Sequence, residues 1–278
     1  MLQSITWDPS TGIDLGFIEI RYYSLMFLIA FGSGWFITKK MYDREGLSEK
    51  KLDSLFAYVV IGTLLGARLG HVIFYQAELF QEDPLSILLP FRFVPEFEFT
   101  GFRGLASHGA TIGIFIAALL YSKKVLQKHV FWILDRIVLP IAFGGIFVRI
   151  GNFLNSEIIG KPTGSDYGVI FVQLGENFAR HPSQLYEAGC YALLFALLYY
   201  LYWKTETRKK LGLLFGLFFS ILWIIRFVVE YSKEPQVAER ADWLLNTGQL
   251  LSIPFILAGF GVIYWSLQNH KKQTEVEA

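Results

Sequence analysis

Arg149, Asn152 and Asn155 stand in the stretch VRIGNFLNSE, which closes the long apolar run FWILDRIVLPIAFGGIFVRIGNFL. A guanidinium is permanently charged and forks onto phosphate oxygens, so an arginine here suits an anionic, phosphate-bearing ligand. No acid lies within a turn before Arg149, and Glu157 follows only two turns later, so Arg149 reads as an unpaired cation and a functional candidate. Arg226 and Glu230 are spaced i and i+4, which lets them pair on one helix face, either as a structural ion pair or within a site. Arg68 and His71, at i and i+3, line the same cavity or bridge loops. His108 in ASHGAT opens a helix. It is either a cap or one of the few bases at its depth, with Gly109 leaving room for a substrate to approach. His181 begins HPSQLYE, a helix start in which proline comes early and Ser183, Gln184 and Glu187 satisfy orphan amides. His181 is therefore architectural, with Gln184 and Glu187 facing inward. Gly144, Gly145 and Gly151 permit close helix packing, and Cys190 is a small apolar residue.

The elements that must position these side chains follow from composition. Of 278 residues, 53% are hydrophobic and 18% charged, against about a quarter charged in a soluble domain. The apolar residues fall in runs of about twenty, enough to cross a hydrocarbon core of about 30 Å. The reading is an all-α, polytopic membrane helical bundle forming one domain over 1–278. Its seven spans lie near 20–38, 54–75, 108–121, 131–154, 183–203, 211–231 and 248–267. Loops at about 76–107 and 155–182 form a small periplasmic head. One alternating set of loops holds fourteen basic residues, among them Lys39, Lys50, Lys124 and Lys209. The other set holds seven: Arg21, Arg92, Arg103, Lys161, Arg180, Lys233 and Arg240. Cytoplasmic loops collect Lys and Arg, so the N-terminus is placed outside and the C-terminus inside.

With that orientation, Tyr23, Arg68, His71, His108, Arg149, Asn152, Gln184, Glu187, Arg226 and Glu230 all fall in the outer half of the membrane. One shared depth argues for one cavity, polar above and apolar below, which fits an anionic head group on an apolar body. Arg136 follows Asp135 near an inner helix end, where pairing and snorkelling are cheap, and reads as structural. A net charge of +1 points to no nucleic acid or other charged partner, and the opening segment lacks the basic start of a signal peptide. No nucleophile elbow, zinc helix or P-loop is present, so in an enzyme the nucleophile arrives with a substrate. A lipid transporter or flippase would use the same arginines, but calls for internal repeats and polar residues reaching the inner face, and neither is seen. An intramembrane protease lacks a catalytic pair.

The stretch RIGNFLNSEIIGKP resembles the signature of the prolipoprotein diacylglyceryl transferases. YYSLMFLIAF, GARLGHVIFY, EDPL, SHG, RHPSQLYE, IRFVVEY and GQLLSIP match the family in the same order over nearly the whole chain. Small or apolar replacements at Ala67, Ala110 and Val148 leave the charged positions intact. The resemblance implies a bacterial inner-membrane enzyme with its active site toward the periplasm. It would move the sn-1,2-diacylglyceryl group of phosphatidylglycerol to the lipobox cysteine of a prolipoprotein signal peptide, release glycerol-1-phosphate, and need no cofactor or metal. By position it implies important roles for Tyr23, His108, Arg149, Asn152, Glu157, Gly160, Arg226 and Glu230. Arg149 and Arg226 would hold the phosphate, His108 would take the thiol proton and Glu230 would position Arg226. Tyr23 and Asn152 would bind the head group or glycerol, with Glu157 and Gly160 also substrate-binding. Arg68, His71, His181 and Gln184 would support them.

Overall fold

The computed structural model describes residues 4–10, 12–16, 19–100, 104–234 and 245–277. Arg103 and Arg240, counted above among the outer basic residues, lie outside them. Of these described residues, 71% are helical. Its helices are α1 (Tyr22–Arg44), α2 (Glu49–Tyr75), α3 (Leu79–Glu82), α4 (Ser107–Tyr121), α5 (Val130–Leu154), α6 (Ser183–Lys204), α7 (Leu213–Val229) and α8 (Thr247–Glu277). Among the described residues, six stretches are long and apolar enough to cross a membrane: α2, α5, α6, His108–Leu126, Leu213–Ser232 and Thr247–Lys272. In hydrocarbon a helix is the form in which a single segment satisfies all its own backbone groups, so these apolar runs become helices. The first expected span corresponds to α1, which is long enough but is not among the six.

The chain divides into two compact units, Met1–Thr38 with Leu134–Ala278, and Lys39–Ile133. In the second, α2 and α4 meet along glycines. A Cβ on Gly70 would stand 2.7 Å from Gly109 Cα, and one on Gly62 2.7 Å from Ala117 Cβ, so only small residues let the backbones approach this closely. The Ala106 amide donates to the Ala67 carbonyl at 2.9 Å. Arg68 donates to the carbonyls of Ser86 (2.8 Å) and Ile87 (3.0 Å), which fixes the turn Pro84–Ile87. Buried Asp83 accepts from the Phe93 amide at 2.7 Å.

In the other unit, α5 packs on α1, where Gly151 faces the Tyr23 ring and Gly144 faces Ala30. It packs on α6 where Gly145 faces Tyr191. Asp135, wholly buried, accepts from the amides of Gly212 (2.6 Å) and Phe215 (2.8 Å), and so caps the start of α7. Arg136 is buried too, facing the Arg208 carbonyl and the Tyr202 ring.

Short strands lie outside the helices. β1 (Ile5–Trp7) runs parallel to a distant strand in the expected loop 155–182, Val169–Phe171, while β2 (Gly12–Asp14) pairs antiparallel with β3 (Glu19–Arg21). In the other unit β4 (Phe91–Arg92) pairs antiparallel with β5 (Glu98–Phe99), which makes Val169–Phe171 β6. Trp7, Phe153, Ile159, Val169 and Phe171 form the apolar cluster beneath β1 and β6. Arg180 ties this region together by pairing with Glu176 and Glu234 and donating to the Gly160 carbonyl, and those acids push its pKa further up.

Candidate active site

Three helix ends meet in the larger unit. Arg149 and Asn152, three apart on one face, lie in the last two turns of α5. The helix then stops: Ser156 and Ile158 adopt left-handed backbone (φ 53° and 55°), and the Glu157 amide folds back to the Asn152 carbonyl at 2.8 Å. Gln184 and Glu187, also three apart, occupy the first turns of α6. Arg226 lies at the end of α7, followed by Glu230 in the turn Glu230–Ser232 and then Lys233.

At the centre is the Glu187 carboxylate, whose side chain has no solvent exposure. An isolated charge there would be prohibitively unfavourable, and three cations surround it. Arg149 Nε stands 2.6 Å from Oε2, Lys233 Nζ 3.1 Å from Oε1, and Arg226 Nη1 3.9 Å from the same Oε1. The Arg149 side chain is 13% exposed and that of Arg226 34%, so Arg226 is the more open to a ligand. Arg226 also lies over the Trp223 ring at 5.5 Å. Arg149 Nη1 donates to Asn152 Oδ1 at 3.1 Å, and Asn152 Nδ2 donates to Glu157 Oε2 at 3.2 Å. The Tyr23 hydroxyl bonds Asn152, so α1 joins the same network.

Three sequence expectations are corrected. Arg149 is not unpaired: its acid comes from a neighbouring helix. Arg226 and Glu230 share a face but do not form the expected pair; Arg226 turns to Glu187, while Glu230 Oε2 lies 3.8 Å from Lys233 Nζ. Gly248 packs against Glu230, where a Cβ would stand 2.5 Å from its Oε1. The capping expected at the start of α6 is also absent. Ser183 bonds Ser232 Oγ (2.7 Å) and Gln184 donates to the Glu157 carbonyl (2.6 Å), so both tie loops to the helix and leave its own amides alone. Gln184 and Glu187 do face inward, as expected. His181 bonds the Tyr186 hydroxyl at 3.2 Å. Gly160 is buried in a bridge to Lys233, against His181 and Ser183, with no space for a side chain.

The remaining expected residues lie in the other unit. Arg68 bridges to the loop carbonyls described above, and Gly104, in left-handed backbone at φ +71°, packs on His71. His108 is exposed in the first turn of α4. The sequence reading missed the centrality of Glu187 and the presence of Lys233. An inward carboxylate at a helix start, in a chain with three arginines to neutralise, was the available signal for the first. Lys233 looked like an ordinary loop lysine.

The family model described as prolipoprotein diacylglyceryl transferase matches residues 11–265, a span that holds every residue of the cluster. The chain belongs to this family. A phosphatidylglycerol–prolipoprotein diacylglyceryl transferase of Tolumonas auensis is 40% identical over 257 residues, covering 92% of this chain and 95% of that one. The protein of the same name from Porphyromonas gingivalis is 40% identical over 282 residues, covering 95% of each. That of Chloroherpeton thalassium is 37% identical, covering 98% of this chain and 97% of its own. Six apolar helices and bacterial relatives make this family member a multi-pass inner-membrane protein.

Proposed function

We propose that this chain transfers the sn-1,2-diacylglyceryl group of phosphatidylglycerol to the lipobox cysteine of prolipoproteins, the reaction its relatives are named for. The cysteine sulfur attacks the glyceryl carbon, a C–S bond forms, and the C–O bond to phosphate breaks with its electron pair passing to the phosphate oxygen. The thiol proton goes to a base. The products are a thioether and glycerol-1-phosphate.

The observation that carries this reading is the convergence of Arg149 and Arg226, from two helices, on one buried carboxylate. A phosphodiester carries one negative charge and gains a second as it departs, and Arg226, 3.9 Å from its nearest acid, is the cation least engaged in the cluster. Fixed guanidinium groups in a low-dielectric site stabilise charge that develops in the transition state, and removing one such contact typically lowers kcat by about 10²–10³-fold. Tyr23 and Asn152, linked to Arg149, would hold the head group or glycerol, with Glu157 accepting from its hydroxyls. Gly160 contributes by packing its loop tightly and Glu230 by holding Lys233.

A free thiol has a pKa of about 8.5 and needs a base near neutrality. His108 is assigned that role on its chemistry and its exposure, and Arg68, His71, His181 and Gln184 are assigned support. With α1 counted, the chain has seven spans, its N-terminus outside and the site toward the periplasm. The asymmetry of fourteen against seven basic loop residues supports this orientation.

The test is direct. Purified protein incubated with phosphatidylglycerol and a lipobox peptide is expected to raise the peptide mass by one diacylglyceryl group. A peptide with serine in place of the cysteine is expected to gain nothing. No mass gain on the cysteine peptide, from folded protein, contradicts the proposal.

A further inference from the structure

Three cations compete for Glu187, and they do not share it equally. Oε2 is taken by Arg149 at 2.6 Å and Oε1 by Lys233 at 3.1 Å, while Arg226 stands off at 3.9 Å from that same oxygen. Each carboxylate oxygen thus has a nearer cation than Arg226. The backbone fixes Lys233 in place: the residue forms a bridge with Gly160, its amide donates to the Glu230 carbonyl at 3.2 Å, and the preceding Ser232 carbonyl accepts from Lys161 at 2.8 Å. The Lys233 side chain is only 5% exposed, so its ammonium is committed to Glu187 and Glu230 and is not available to solvent.

We infer that Lys233 is a positioning residue: by occupying Glu187 Oε1 it keeps the Arg226 fork free for the substrate phosphate. This rests on the transferase reading above. Without the ammonium, Oε1 becomes the strongest acceptor beside Arg226, and the guanidinium closes onto it. Each donor that Arg226 spends on Oε1 is one fewer for the phosphate, and Arg226 is the more open of the two arginines.

The charge on Lys233 is itself conditional. Burial lowers its pKa from the ordinary lysine value, Glu187 from α6 partly restores it, and Arg149 from α5 and Arg226 from α7 lower it further. Glu230, from its own turn, also faces it. As pH rises through this lowered value Lys233 loses its proton, Oε1 loses its partner, and Arg226 is captured. Transfer therefore declines on the alkaline side, below the ordinary lysine range of about 10.4.

The experiment compares full-length wild type, Lys233→Met and Lys233→Arg in phosphatidylglycerol vesicles with a lipobox peptide, measuring kcat/KM across pH. Lys233→Met is expected to lose about tenfold or more, the worth of one charge-assisted hydrogen bond. Lys233→Arg is expected to keep most of the activity and to carry the alkaline decline to higher pH, because guanidinium holds its proton. If Lys233→Met does not fold, the Lys233→Arg profile decides alone. Lys233→Met within twofold of wild type, or a Lys233→Arg profile superimposable on wild type, overturns the inference. Folded wild type that adds no diacylglyceryl group at any pH defeats the transferase reading itself, which is a separate outcome.

Discussion

Glu187 is the residue on which the cluster turns. Its carboxylate is wholly buried and lets two arginines and a lysine from three parts of the chain share a small volume without mutual repulsion. Removing one partner of a buried ion pair costs about 3–5 kcal/mol, because the charge left behind has no compensation. Glu187→Gln keeps the shape and removes the charge. It is expected to lower stability by about 3 kcal/mol, read as a drop in thermal midpoint in detergent, and to reduce transfer more than Gln184→Ala does. The sequence showed which side chains share a depth, including Arg149 with Asn152, and that Gln184 and Glu187 face inward. It did not reveal partners across helices. The pairing of Arg226 with Glu230 followed from i and i+4, yet a carboxylate on α6 offers Arg226 the nearer acceptor and Lys233 takes Glu230. Loop lysines carry no hydropathy signal, which is why Lys233 escaped notice.

At the scale of elements, the long helices were legible because apolar runs of about twenty residues have few other ways to satisfy their backbone in lipid. The strands were not. β1 and β6 are three residues each, and their pairing joins Ile5 to Val169, a separation no local pattern encodes. Asp135 shows a similar limit. Its neighbour Arg136 suggested a structural pair near an inner helix end, whereas the carboxylate caps α7 through the amides of Gly212 and Phe215. Asp135→Ala removes that cap and leaves buried amides unsatisfied, at an expected cost of about 1–3 kcal/mol in unfolding. Since Asp135 lies at the opposite end of α7 from Arg226, the folded fraction should keep its specific activity. In the α2 and α4 seam, Gly66→Val would drive a side chain into Gly113, whose Cα is 2.9 Å from the added Cβ. The yield of folded protein should fall sharply, measured by size-exclusion of the solubilised chain.

For the whole molecule, the proposed topology makes a prediction independent of chemistry. Cys190 is the only cysteine and lies half-buried in α6, so a Cys190→Ala background accepts single reporter cysteines. Lys124→Cys should react with an impermeant maleimide only after the inner face is opened, and Ser165→Cys should react in intact cells. The reverse pattern would invert the proposed orientation. The central claim is that guanidinium groups grip and stabilise the departing phosphate, and the most direct measurement is the transfer rate of Arg226→Ala beside wild type, on phosphatidylglycerol and a lipobox peptide. Arg226 is the more exposed of the two arginines and only loosely engaged with Glu187, so its loss should leave the fold intact. The expected result is a correctly inserted protein whose rate has fallen by about 10²-fold or more. A folded Arg226→Ala protein turning over within threefold of wild type would contradict the account.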